Sequence, residues 1–183
     1  MLRRFRMRNV PAPEVKHRII LQHARLHGLR TLVETGTFQG DTVAACLDAF
    51  DDIYSIELSH DLFEQVAERF AGVPRVHLFE GDSGIVLPQL LETTVGGPAL
   101  FWLDGHFCFG ESAGGAADPP VGKELAAVLR HPVHGHVVLI DDARFFGHRK
   151  GYPSLAQIRS LVAAARPASD VTVADDIIRI VLR

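Results

Sequence analysis

The last two apolar runs of the chain, "VTVA" (171–174) and "IIRIVL" (177–182), are separated only by Asp175 and Asp176. Strands joined by so short a loop must pair antiparallel, because a parallel pair needs a crossover of about a dozen residues or more. Upstream of this hairpin, strand-like and helical patterns alternate. A helix is expected over Glu14–His27, ending at Gly28, followed by a strand at Thr31–Glu34 and a helix at Thr42–Phe50. Next come a strand at Ile53–Glu57, a helix at Asp61–Phe70 capped by Ser59, a strand at Val76–Phe79 and a helix from about Gly84 to Leu91. "ALFWLD" (99–104) and "HVVLID" (136–141) are continuous apolar strands flanking the helix "KELAAVLRH", and Ser154–Ala165 is the last helix. Apolar strands of this kind lie in the middle of a parallel sheet covered on both faces. The pattern predicts an α/β fold: a doubly wound, Rossmann-like, seven-stranded, mostly parallel sheet with helices on both faces, ending in an antiparallel β-hairpin. With no internal repeat or low-complexity linker, residues 1–183 read as a single domain, with a basic arm at 1–10 and an N-terminal helix at 14–28.

Charge and composition narrow the partners. A net charge of -3 with 22% charged residues gives no electrostatic reason to expect nucleic acid. The basic opening "MLRRFRMRN" is followed by no apolar run, and no run in the chain is long enough to span a bilayer. Cys46 and Cys108 have neither metal-binding nor redox spacing, so free thiols in a reducing cytoplasm are expected.

The functional signal begins at "LVETGTFQGDT" (32–42), where an apolar strand ends in an acid and a glycine turn leads into a helix. A dinucleotide fingerprint would place glycine where Phe38 stands and would not tolerate Asp41 beside a phosphate. With no G-K-[ST] triplet, a P-loop is excluded as well. What remains is acid-x-G-x-x-x-G, formed by Glu34, Gly36 and Gly40, a turn suited to a ligand with a cationic amine and no phosphate.

Here the chain resembles class I S-adenosylmethionine-dependent methyltransferases, over almost its whole length. In that family the acid-x-G-x-x-x-G turn follows the first strand, matched by Glu34 to Gly40. An acid ending the second strand holds the ribose hydroxyls, matched by Glu57 in "IYSIELS", and an acid after the third meets the adenine amine, matched by Asp82 in "EGDS". The resemblance implies that Glu34, Gly36, Thr37, Phe38, Gly40, Glu57, Asp82 and Ser83 bind S-adenosylmethionine. Singly, Glu34 and Glu57 also read as a cap, a salt-bridge acid or a solvated strand end.

Asp104 ends one apolar strand, and Asp141 and Asp142 end the other. Neighbouring parallel strands lie about 4.8 Å apart, so these carboxylates should meet at the crevice where α/β folds bind ligands. Such a cluster needs a cation or protons, and an all-oxygen set suits Mg²⁺ or Mn²⁺. The placement is similar to that in the metal-dependent catechol- and macrocin-type O-methyltransferases. It implies a metal site of Asp104, Asp141 and Asp142, with the ion lowering the pKa of an acceptor hydroxyl. The lysine that catechol-type enzymes carry after the first Asp is missing from "DGHF", which makes His106 the candidate base beside Asp104, or else a fourth metal ligand or a residue that orients the loop.

"DPPV" (118–121) reads as a rigid helix entry, and the glycine-rich segment 105–120 as a lid over the site. Arg144, His148, Arg149 and Tyr152, after the fifth strand, are expected at the substrate mouth or on a solvated loop. The expected function is O-methyl transfer to a small hydroxylated metabolite, metal-assisted, with no nucleic-acid or membrane partner. The rival readings are a scaffold that kept the fold without the chemistry and a metal-independent N-methyltransferase. A single short N-terminal helix leaves the acceptor either open to solvent or walled by a second subunit of a homodimer.

Overall fold

In the computed structural model, which describes residues 10–105 and 119–183, seven strands form one sheet in the order β3-β2-β1-β4-β5-β7-β6. The strands are β1 (Thr31–Thr35), β2 (Asp52–Glu57), β3 (Val76–Glu80), β4 (Leu100–Leu103), β5 (Val137–Ile140), β6 (Asp170–Ala174) and β7 (Ile177–Val181). The first five are parallel, and β7 pairs antiparallel with both β5 and β6. The hairpin loop is Asp175–Asp176, both in the left-handed region at φ 52° and 59°. That backbone matches the twist of a two-residue hairpin.

The helices are α1 (Pro13–His27), α2 (Asp41–Cys46), α3 (His60–Arg69), α4 (Ser83–Thr93), α5 (Val121–Arg130) and α6 (Leu155–Ala165). Gly28 ends α1 in the left-handed conformation, and the Leu29 N–H returns to the Ala24 carbonyl at 2.8 Å. Ser59 caps α3, and Ser154 with Gln157 forms a capping box on α6. Among the described residues, no helix is long and apolar enough to cross a membrane.

The helix expected over Thr42–Phe50 stops at Cys46. The next carbonyls are taken from outside: Arg75 bonds the Leu47 oxygen and Arg30 the Ala49 oxygen, each at 3.0 Å. Released from the helix, the chain drops Phe50 into the core and enters β2 two residues later.

Period-2 alternation divides the sheet into two apolar faces. Leu32, Leu100, Trp102, Val137 and Leu139 pack with Ile19, Ile20 and Ala24 of α1. Val33, Phe101, Leu103, Val138 and Ile140 pack under α4, α5 and α6. Because α1 ends just before β1 begins, its first turn lies at the carboxyl edge of the sheet.

Behind the second face, His131 and His136 are buried in contact. The Ala99 N–H donates to His136 Nδ1 (3.0 Å), so the His136 proton sits on Nε2 and points at His131 Nδ1 (2.8 Å). His131 Nε2 in turn donates to the Leu91 carbonyl at 3.0 Å. A second proton on His136 would face the Ala99 N–H. Burial, with the nearby His131 and Arg166, lowers the His136 pKa to about 4. A histidine depressed from 6.5 contributes stability that is complete above about pH 6.5 and is lost as pH falls toward 4. The His136 contribution should therefore fall by up to about 3 kcal/mol across that window. It is read by urea unfolding as the difference between wild type and His136→Gln, which keeps an acceptor for Ala99 but does not titrate.

Candidate active site at the carboxyl edge

The turn after β1 is a scaffold of backbone contacts. Gly36, at φ 83°, donates its N–H to the Ile56 carbonyl at 2.9 Å. A Cβ there would stand 2.6 Å from the Asp104 carbonyl oxygen, so this glycine lets the ends of β1 and β4 touch. Gly40, at φ 78°, has the Phe70 ring 2.7 Å from where its Cβ would be, which seats α3 against the turn. Between them Phe38 adopts φ 51° and leaves its ring 51% exposed.

Glu57 ties the turn to β2. One carboxylate oxygen accepts the Phe38 N–H at 2.8 Å and the other accepts the Ser59 N–H at 2.9 Å. Glu34 lies beneath the turn, 1% exposed, because it shares the inward face of β1 with Leu32. The Ser55 hydroxyl donates to it at 2.6 Å, and Thr37 donates to Ser55 at 2.6 Å. Burial, with the charge of Glu57 adding to it, raises the Glu34 pKa to about 7 against the hydrogen bonds from Ser55 and Thr42. Asp82 is the N-cap of α4, accepting the Gly84 N–H at 2.8 Å, with Ser83 buried behind it. Two apolar side chains nearby in sequence to these acids, Leu58 just after β2 (56%) and Ile85 in the first turn of α4 (58%), are exposed like Phe38.

A residue absent from the expected site appears where β1 parts from β4. Glu124 of α5 is 1% exposed, and its Oε1 lies, like Ser83 Oγ and Thr35 Oγ1, 3.3 Å from where a Gly105 Cβ would be. Burial raises its pKa to about 7, while Ser83 and Thr35 pull it down and Asp82 adds to the rise. The sequence carries the signal: Glu124 falls three residues after Val121 and four before Val128, on the apolar stripe of α5.

The three far carboxylates do converge. Leu103 and Ile140 are in register, which places Asp104 beside Asp141 at the strand ends. Asp141, 1% exposed, binds the ammonium of Lys16, reaching in from the first turn of α1. Its other oxygen has no hydrogen-bond partner among the described residues. Asp142, at φ 57°, pairs with Arg144 at 2.6 Å, and Arg144 also binds Asp176 of the hairpin loop. Burial, reinforced by Asp141 and Asp142 and opposed by Lys16, holds the Asp104 carboxyl well above the usual range. Burial would lower the Lys16 ammonium, but the hydrogen bond and charge of Asp141, with Asp104 and Asp142, raise it.

The expected Mg²⁺ or Mn²⁺ does not fit this donor set. Lys16 and Arg144 already occupy oxygens that a metal would need, and among the described residues no group of three or more His, Cys, Asp or Glu side chains could hold one. The expectation counted acids at strand ends and missed a cation arriving from the far end of the sequence.

His106, most of the expected lid and Asp118 lie outside the described residues. Pro120 is the N-cap of α5, in keeping with a structural reading of "DPPV". On the loop after β5, Tyr152 packs edge-on against Phe145 and Phe146, with ring centres 5.7 and 5.2 Å away. Burial raises its phenol pKa, opposed by Arg149 and helped by Asp142, Asp104 and Glu124. Arg144 is turned toward acids and Arg149 lies over the Phe145 ring, while His148 stays exposed.

No protein-family model matches the chain, and no curated protein matches it in sequence. Solved structures match its fold. The O-methyltransferase TomG of Streptomyces achromogenes, involved in tomaymycin synthesis and solved with S-adenosylmethionine, superposes with a TM-score of 0.68 at 19% identity, over 94% of this chain and 81% of that one. An O-methyltransferase of Bacillus cereus, solved with S-adenosylhomocysteine, gives 0.66 at 16% identity, over 95% and 83%. The 23S rRNA methyltransferase ErmE gives 0.60 at 15% identity, over 96% and 70%. The fold is thus the Rossmann-like methyltransferase fold.

The Glu124 carboxyl offers a direct check on the polar floor. Its pKa is raised from 4.5 to about 7, so it costs no stability below pH 4.5, and stability is lost as pH rises through about 7. The stability of Glu124→Gln relative to wild type should therefore improve by up to about 3 kcal/mol between pH 4.5 and 8, measured by chemical unfolding. A difference that does not change with pH would mean that Glu124 reaches solvent.

Proposed function

We propose that the chain is an S-adenosylmethionine-dependent methyltransferase acting on a hydroxyl oxygen of a small metabolite. The observation that carries this reading is Glu57, whose two carboxylate oxygens clamp the glycine turn to the end of β2. Each oxygen retains an acceptor position for a ribose hydroxyl. Exposed Phe38, Leu58 and Ile85, on the turn after β1, just after β2 and at the start of α4, offer apolar surface for a flat base. Glu34, Gly36, Thr37, Phe38 and Gly40 would form the turn that holds the cofactor, with Asp82 and Ser83 at its adenine end. When bound, S-adenosylmethionine supplies an electrophilic methyl group on a sulfonium.

The chain's own part is to bind, orient and handle one proton. Asp104, after β4, stands one strand from the turn and Asp141, after β5, two strands from it, on the side where an acceptor hydroxyl would approach. His106, directly after Gly105 in the sequence, is the proposed base, its imidazole taking the hydroxyl proton near neutral pH. The net charge of -3 favours a small acceptor over a nucleic acid. Metal assistance drops out of the proposal because of Lys16.

Calorimetric titration with S-adenosylhomocysteine tests it. Wild type should bind, and Glu57→Ala should bind roughly ten- to a hundredfold more weakly, as expected for a lost charge-assisted contact, with its circular dichroism unchanged. No binding by well-folded wild type would leave the fold without the chemistry, as in a scaffold protein.

A further inference from the structure

Lys16 brings a cation from α1 to the carboxyl edge of the central strands. Its position follows from the topology, because α1 runs back along the sheet and ends where β1 begins. Ile19, Ile20 and Ala24 fix the helix to the face formed by Leu32, Leu100, Trp102 and Leu139. Lys16 lies one turn before Ile20, with its side chain 18% exposed, and its ammonium meets a carboxylate 1% exposed. The pair joins residues 125 positions apart, so it records the tertiary fold and not a local helix contact. Asp104 and Asp142 also act on the same ammonium. A buried carboxylate stripped of its cation is strongly destabilising, whereas with Lys16 in place Asp141 is already neutralised.

We infer that Lys16 is a positioning residue and the built-in counter-ion of the acceptor side, standing where a divalent metal would otherwise bind Asp104 and Asp141. This rests on the reading of that edge as the methyl-acceptor side. Lys16 holds Asp141 in place and cancels its charge, so that a hydroxyl can approach Asp104 without an added metal. Transfer should then need no divalent ion. Removal of the ammonium should convert the edge into a metal site, because the same oxygens become an uncompensated hard-donor set.

The test is a Mn²⁺ titration followed by electron paramagnetic resonance on wild type, Lys16→Arg, Lys16→Met and Lys16→Met/Asp141→Asn, with S-adenosylhomocysteine affinity measured on the same samples. Wild type and Lys16→Arg should leave Mn²⁺ free in solution. Lys16→Met should bind one Mn²⁺ at least about tenfold more tightly than wild type, and Mn²⁺ should raise its melting temperature. The double variant should lose that gain. Wild type binding Mn²⁺ as tightly as Lys16→Met would overturn the inference, and so would a folded Lys16→Met that gains no affinity. Should Lys16→Met not fold, Lys16→Gln replaces it under the same criteria. S-adenosylhomocysteine affinity should be the same in wild type and Lys16→Met. Its loss in wild type would count against the cofactor reading alone, since the Mn²⁺ result does not depend on it.

Discussion

The contact between Gly36 and the Asp104 carbonyl organises the rest of the site. A Cβ at Gly36 would stand 2.6 Å from that oxygen, so the turn after β1 and the end of β4 can meet only through a residue without a side chain. β1 sits where the strand order reverses, with β2 on one side and β4 on the other. Helices leaving these two halves diverge to opposite faces, and the crevice opens between them. A close β1–β4 contact keeps the proposed cofactor half, on β1 to β3, within reach of the carboxylates after β4 and β5. If that contact were pushed apart, Glu57 and Asp104 would each keep their local partners and lose their relation to one another.

Electrostatics divides the crevice into two regimes. On the first three strands, carboxylates are satisfied by backbone amides and hydroxyls: Glu57 by Phe38 and Ser59, Glu34 by Ser55, Asp82 by Gly84. Acceptor-only oxygens bonded to fixed N–H groups are rigid, which suits recognition of a neutral diol or amine. On β4 and β5, carboxylates meet cations instead, Asp141 with Lys16 and Asp142 with Arg144. The first regime orients a ligand by directional bonds. The second holds a cluster of like charge together without outside help. Glu124, buried between the two beside Thr35 and Ser83, links them through the polar floor.

Much of this was legible in the residues. The two-residue gap at Asp175–Asp176 dictates the antiparallel ending, and the apolar strands "ALFWLD" and "HVVLID" read directly as the centre of a parallel sheet. The burial of Glu34 could be read from its parity with Leu32, and that of Glu124 from the stripe shared with Val121 and Val128. Lys16 could not. On α1 it lies among polar neighbours in "EVKHR", and nothing local indicates that its partner is 125 residues away. The early end of α2 was hidden for the same reason, since the groups that take its last carbonyls, on Arg30 and Arg75, come from other elements. Periodicity reports which face a residue occupies, not which distant charge that face will meet.

We propose that the turn after β1, clamped by Glu57, cradles the cofactor. Hydrogen–deuterium exchange with and without S-adenosylhomocysteine tests it residue by residue. Amide protection should rise at residues 36–40, 57–59 and 82–85, with the Phe38 amide among the most slowed, while β6 and β7 stay unchanged. Protection confined to the loop after β5, or none at all under saturating ligand, would rule out this cradle.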